Sequence, residues 1–333
     1  MKNKLQITIF GTGAMASLFA ARMIQHQNQT GASYWVRMFG HWQAQIDKIA
    51  NDGLRVIEQD GTYADLAIPI TGEISDITDT KIALVCVKSF QTEAAAKEIE
   101  KILRDDGIAV TLQNGFGNEK VLEEKLGHQR VTRAITTQGA ALTAPGILHY
   151  AGGGETMFAK HAAKMNVLSE LVQILNSSEL PARFHDNFEH AAWQKLIVNA
   201  VINPLTALAR VRNGELPMDP ILLKIMKSIV KESVQVANSQ GFDFISGEML
   251  QFVRTVCNLT AHNHSSMLQD VVNSRPTEID AISGAIVRYG RAAKIATPVN
   301  QKVVEIMSNT QLQKTSLSEM NNMLLDALNQ EIE

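Results

Sequence analysis

The sequence predicts an α/β fold: an N-terminal Rossmann-type dinucleotide-binding domain followed by an all-helical C-terminal domain. Three observations carry this. The chain opens on a short apolar strand that runs straight into a glycine-rich turn, GTGAMA at residues 11–16. Strand-like and helix-like segments then alternate, as a parallel sheet with crossover helices requires. From about residue 187 the strand signals stop and long helical periodicities follow.

In chain order, Leu5–Phe10 reads as the first strand and Ala14–Gln25 as the first helix, with Ser33–Val36 as the next strand. Ile82–Val87 (IALVCV) is a continuous apolar run, the mark of a strand buried on both faces. Thr92–Leu103 is a helix with a polar face, Ile108–Leu112 a second buried strand, and Val131–Thr136 and Ile147–Tyr150 later strands. Beyond the change of pattern, helices are expected over Ile221–Ser239, Glu248–Leu259, Glu278–Ala293 and Pro298–Met307, with Gly241 as a stop signal. The expected division is 1–186 for the dinucleotide domain and 187–333 for the helical one. The last stretch, SLSEMNNMLLDALNQEIE, reads as a terminal amphipathic helix.

Composition narrows the function classes. The 333 residues suffice for about two domains. A net charge of −3 favours neither nucleic acid nor an anionic membrane surface. No apolar run reaches the roughly 18 residues of a membrane span. The two cysteines, Cys86 and Cys257, lie in apolar runs and read as buried thiols, and no Cys/His spacing suggests a metal. His149, His185 and His190 have no partner pattern. A cytoplasmic protein handling a small molecule, as a monomer or homodimer, is the expectation.

GTGAMA is a G-x-G-x-x-A turn in the right context, after a strand and opening a helix. Gly11 permits the tight turn, Gly13 lets a pyrophosphate approach the backbone, and Ala16 lets helix and strand pack closely. With Thr12, Ala14 and Met15 they form the candidate cofactor cradle, which offers free N–H groups at a helix N-terminus. An NAD site usually carries Asp or Glu at the end of the second strand. Residues 1–46 contain neither, and the strand SYWV is expected to end in Arg37. A guanidinium suits a 2′-phosphate, so NADP(H) is preferred; a solvated charge is the alternative. Lys88 and Asn114 follow two later strands, at the sheet edge where such folds bind ligands. Alone, each reads equally as a surface lysine and a turn asparagine.

KLIVNAVINPLTA, residues 195–207, reads as a helix apolar on nearly every side, yet Lys195, Asn199 and Asn203 recur at i, i+4 and i+8. Buried amines and amides are costly without partners, so this stripe is expected to meet a polar cleft or a ligand. Pro204 is expected to bend the helix at Asn203. Downstream, Ser266 and Glu278 stand out in a polar cluster, where helix capping competes with a functional role.

Together these residues resemble the ketopantoate reductase family. The matching stretches are GTGAMA, Arg37, VKSFQT at 87–92, NGFGN at 114–118, KLIVNAVINPLTA, NGEL at 213–216, and SSMLQD with TEID at 265–280. They occur in the family's order over most of the chain. Ala16 departs from the glycine of many members. The resemblance implies an active site between the two domains and NADPH-dependent reduction of 2-dehydropantoate to (R)-pantoate, on the way to pantothenate and coenzyme A. It implies Lys195 as catalytic acid with Glu278 as its carboxylate partner. Asn114, Asn199, Asn203, Asn213 and Ser266 would lie on the substrate side, and Arg37, Lys88 and Asn114 on the cofactor side. Lysine at its ordinary pKa of about 10.4 would be protonated at neutral pH. The rivals are a reductase of another 2-oxo acid and an NADP-sensing protein without turnover.

Overall fold

In a computed structural model, which describes residues 4–308, the chain forms two compact units. The terminal amphipathic stretch lies outside the described residues. The first unit comprises the described residues up to Gln113 together with Asn118–Phe188; the second comprises Asn114–Gly117 and the described residues from Glu189 onward. The expected linear division at 186 therefore missed one feature: a tetrapeptide from the first half packs with the helices.

The first unit contains β1 (Leu5–Phe10), α1 (Ala14–Thr30), β2 (Tyr34–Phe39), α2 (Gln43–Asp52), β3 (Leu54–Ile57), β4 (Tyr63–Leu66), β5 (Ile70–Thr71), β6 (Thr80–Val85), α3 (Thr92–Ile102), β7 (Leu103–Thr111), α4 (Asn118–Leu126), β8 (Val131–Thr136), β9 (Gly139–Ala144), β10 (Ile147–Gly152), β11 (Thr156–Phe158), α5 (Met165–Ser177) and β12 (Ala182–Phe184). Its main sheet has the order β12-β11-β8-β7-β6-β1-β2-β5. The run from β8 to β5 is parallel, and β11 pairs antiparallel to β8. Of the second sheet, β4-β3-β10-β9, only β10 was expected as a strand; β3, β4 and β9 alternate too weakly to signal themselves, and the sheet as such was not foreseen.

That second sheet explains α1. Helix contacts run from α1 to β9 and β10, and every residue from Ala16 to Ile24 is buried, including Ser17 and Arg22. Arg22 is satisfied by Glu58 at 2.8 Å and lies 4.7 Å from the Tyr150 ring centroid. The helix extends five residues past its expected end, because the polar tail QNQT hides its last turn, which Gly31 closes in the left-handed region at φ 69°.

The second unit contains α6 (Phe188–Ala209, whose first residue belongs to the first unit), α7 (Pro220–Ser239), α8 (Ser246–Leu259), α9 (Ser266–Val272), α10 (Ser283–Ala293) and α11 (Pro298–Ser308). Buried Glu232 on α7 accepts the Val299 and Asn300 N–H groups at 2.8 and 2.9 Å, which caps α11. The α6 helix is unbroken through Pro204, so the expected bend does not interrupt it. Thr206 Oγ1 lies 2.7 Å from the Ile202 carbonyl oxygen and 3.0 Å from that of Asn203, which supports the turn around the proline. The helix expected from Glu278 starts instead at Ser283. The Ala281 carbonyl accepts the Phe116 N–H at 2.8 Å, and the Ala285 N–H turns to Ile282, so residues 278–282 form a turn.

Candidate active site

The glycine turn lies at the carboxyl end of β1. Gly11 has φ +126°, and a side chain there would press on the Cys86 backbone at 3.1 Å. Gly13 caps α1 with extended geometry, and a Cβ on it would meet only open space. Ala16 is fully buried against the sheet. The first N–H groups of α1 thus face outward beside a residue that imposes no steric barrier, a fit for a pyrophosphate. Gly40 completes the turn: a Cβ there would lie 2.8 Å from Thr12 Cγ2.

Arg37 requires a correction. β2 does not end there but runs on to Phe39, whose carbonyl accepts the Gly11 N–H at 2.8 Å. Arg37 pairs in register with Thr8, two residues before the end of β1. Its guanidinium donates to the Asp76 carbonyl at 3.2 Å and to Gln6 Oε1 at 3.4 Å, and burial lowers its pKa. The residues level with the turn are Gly40 and exposed His41, whose ring packs edge-on to Phe39 at 5.1 Å. Sequence reading missed His41 because it placed the strand end too early.

Lys88 follows β6 and opens a short helical turn, with its N–H on Gln91 Oε1 at 3.2 Å. A buried network fixes this loop: Gln113 Nε2 donates to the Val87 carbonyl at 3.0 Å and to Thr92 Oγ1 at 2.8 Å, and Thr92 Oγ1 donates to Asn118 Oδ1 at 3.1 Å.

The second unit gathers most of the polar candidates around α6. Between Ala191 and Leu208, only Gln194, Lys195 and Asn199 are not buried. That span is therefore enclosed except at Gln194 and at the half-buried Lys195 and Asn199 of the polar stripe, while Asn203 is 7% exposed. Burial lowers the Lys195 pKa to about 8, and the charge of Glu278 pulls it back upward. The lysine does not keep the ordinary value expected from its residue type. Glu278 is buried, and its Oε2 accepts a long hydrogen bond from Asn114 Nδ2 at 3.5 Å. Its carboxylate thus serves Asn114 and Lys195 rather than a helix end, and its own carbonyl accepts the Ala281 and Ile282 N–H groups.

Ser265, not Ser266, caps α9: its Oγ accepts the Leu268 N–H at 3.1 Å and lies 2.7 Å from Thr206 Oγ1, tying α9 to α6. Ser266 is exposed on the first turn. Asn213 is buried in a short 3-10 helix and donates from Nδ2 to Thr260 Oγ1 at 2.9 Å. Phe116, inside the NGFGN stretch, and Trp193, two residues before Lys195, were not singled out in the sequence; their rings lie 5.1 Å apart and join the 114–117 segment to α6. Among the described residues, no His/Cys/Asp/Glu group is arranged for a metal, and no helix is long and apolar enough to cross a membrane.

Comparison with known proteins agrees with this layout. The family model described as ketopantoate reductase PanE/ApbA matches residues 7–163, and its C-terminal counterpart matches 187–311. A 2-dehydropantoate 2-reductase of Archaeoglobus fulgidus is 34% identical over 303 residues, covering 91% of this chain and 96% of the relative. One from Halobacterium salinarum is 31% identical over 304 residues, covering 91% and 98%. Among solved structures, the ternary structure of D-mandelate dehydrogenase with NADH and anilino(oxo)acetate is 25% identical, with a TM-score of 0.82 over 96% of this chain and 99% of that one. Two family models in tandem and relatives spanning nine-tenths of the chain place it: this protein is an oxidoreductase and belongs to the ketopantoate reductase family.

Proposed function

We propose that the protein reduces 2-dehydropantoate to (R)-pantoate with NADPH, a step toward pantothenate and coenzyme A. The observation that carries this reading is the α6 helix, enclosed from Ala191 to Leu208 except at the half-buried Gln194, Lys195 and Asn199, with Lys195 acted on by the buried carboxylate of Glu278. When bound, the nicotinamide dinucleotide supplies the hydride. The turn 11–16 holds its pyrophosphate through the N–H groups of α1. The absence of a carboxylate at the end of β2 favours a 2′-phosphate, with His41 beside it and Arg37 adding positive charge from two residues back.

The chain's own chemistry follows from Lys195. As C2 of the ketone accepts hydride, negative charge grows on its oxygen. The Lys195 ammonium stabilises that charge and transfers its proton from Nζ to the oxygen, which leaves the alcohol and a neutral amine that water reprotonates. With a pKa of about 8, the lysine is mostly charged at neutral pH yet far more acidic than an ordinary lysine. Asn114, Asn199, Asn203, Asn213 and Ser266 are proposed to hold the substrate, with neutral donors that add no second negative charge beside its carboxylate. Lys88 is proposed to serve the cofactor side.

A second reading is reduction of a different 2-oxo acid with NADH, favoured by the likeness to D-mandelate dehydrogenase. Initial rates across a panel of 2-oxo acids, each with NADPH and with NADH, decide between them. Highest kcat/KM for 2-dehydropantoate with NADPH supports the first reading; a bulkier oxo acid or NADH in that place sinks it.

A further inference from the structure

The tetrapeptide Asn114–Gly117 leaves β7 and packs with the helical unit. Its backbone is pinned at two points. Gly115 adopts φ +81°, and a Cβ there would collide with the carbonyl and side chain of Ala281. Phe116 N–H then donates to the Ala281 oxygen at 2.8 Å. The Phe116 ring is 7% exposed and sits edge-on to Trp193 at 5.1 Å and to Tyr289 at 6.2 Å. Trp193 and Tyr289 meet at 5.2 Å, and Trp193 continues the cluster to Phe242 at 6.0 Å.

The positions of these anchors matter. Trp193 lies two residues before Lys195 on α6, and Ala281 lies three residues after Glu278 in the turn. Phe116 therefore grips the segments that carry the proton donor and its carboxylate. Asn114, two residues before Phe116, donates to that same carboxylate. The titratable and charged groups carried by the packed elements are Glu278 and Asp280 in the turn, Glu189, His190 and Lys195 on α6, Arg288, Tyr289 and Arg291 on α10, and Asp243 beside Phe242.

We propose that Phe116 is a positioning residue for proton transfer: its ring and N–H clamp the 114–117 segment between Trp193 and Ala281, which fixes Asn114 on Glu278 and Glu278 toward Lys195. The proposal rests on the reading of Lys195 as the acid. Truncating the ring removes the wedge between α6 and the turn, so Glu278 loses its hold on the lysine, whose proton is then bound less tightly.

The test follows Lys195 directly, by NMR titration of ¹³Cε-lysine-labelled enzyme, with the resonance assigned by its loss in Lys195→Met. In Phe116→Ala the titration is expected to move down by roughly half to one pH unit. The alkaline limb of kcat/KM should move with it, and kcat should fall about 10-fold or more with the dinucleotide KM within about 2-fold. Phe116→Leu, which keeps a buried apolar side chain, should move the titration less and is read in the same way should Phe116→Ala not fold. A lysine titration that stays in place or rises in a folded variant overturns the proposal. If turnover of the unaltered enzyme does not follow the Lys195 titration, the general-acid reading fails instead, while the resonance still decides the positioning role.

Discussion

Asn114 and Glu278, 164 residues apart in sequence, are joined by a hydrogen bond in which the asparagine amide donates to the carboxylate at 3.5 Å. This contact lies within the helical unit, because the 114–117 segment packs there rather than with the sheet it leaves. It puts a neutral donor and a buried carboxylate beside the lysine proposed to deliver the proton.

Lys195→Ala should lower kcat by about 10²–10⁴-fold, the usual size of a general-acid contribution. Dinucleotide affinity, measured by fluorescence titration, should stay within a few-fold, since the glycine turn belongs to the other unit. Turnover near that of the unaltered enzyme removes Lys195 from the mechanism.

The same lysine sets a pH dependence. Its pKa in the fold is about 8, below the ordinary 10.5, because burial penalises the charge. The protonated donor is present below pH 8 and lost above it, so kcat/KM should fall tenfold per pH unit well above that value. In Glu278→Gln the upward pull of the carboxylate disappears, and the limb should move to lower pH. A limb that moves upward in that variant contradicts the assignment.

Stability should respond in the opposite sense to activity. Between pH 8 and 10.5 the folded lysine binds fewer protons than the unfolded one, so stability from this group rises with pH across that window and is least below it. Lys195→Met should therefore raise the melting temperature at pH 7, and its advantage should shrink as pH rises toward 10. Differential scanning calorimetry at both pH values checks this.

Gly115→Ala meets two penalties at once, a left-handed φ of +81° and an overlap with Ala281. A loss of about 2–4 kcal/mol is expected in urea unfolding, against less than about 1 kcal/mol for Gly247→Ala, where a Cβ meets open space. Equal losses at the two sites show that the 114–117 segment is not tightly packed against Ala281.

His41→Ala and Arg37→Ala separate two sources of phosphate preference. If His41 stands beside the 2′-phosphate, its removal should weaken NADPH about 3–10-fold and leave NADH unchanged, with a smaller effect from Arg37. Isothermal titration with both dinucleotides gives the comparison; a larger loss from Arg37 restores it as the main contact.

Much of this protein is determined locally. Gly11, Gly13 and Ala16 mark their turn because a strand and a helix must meet there around a close-approaching backbone, and those demands are written in adjacent residues. The stripe of Lys195, Asn199 and Asn203 is visible because helical periodicity needs only its own segment. The strand at Ile147–Tyr150 was visible, but its second sheet was not, since that pairing joins residues as distant as Arg55 and Ile147. Tertiary structure also decided that β2 runs past Arg37, through its register with β1, and that Ser265 rather than Ser266 caps α9, through Thr206. It alone brought Phe116 onto Trp193 and Glu278 into range of Lys195, and so set the lysine's acidity. A pKa depends on burial and on charges supplied by other segments, and no single stretch of sequence contains them.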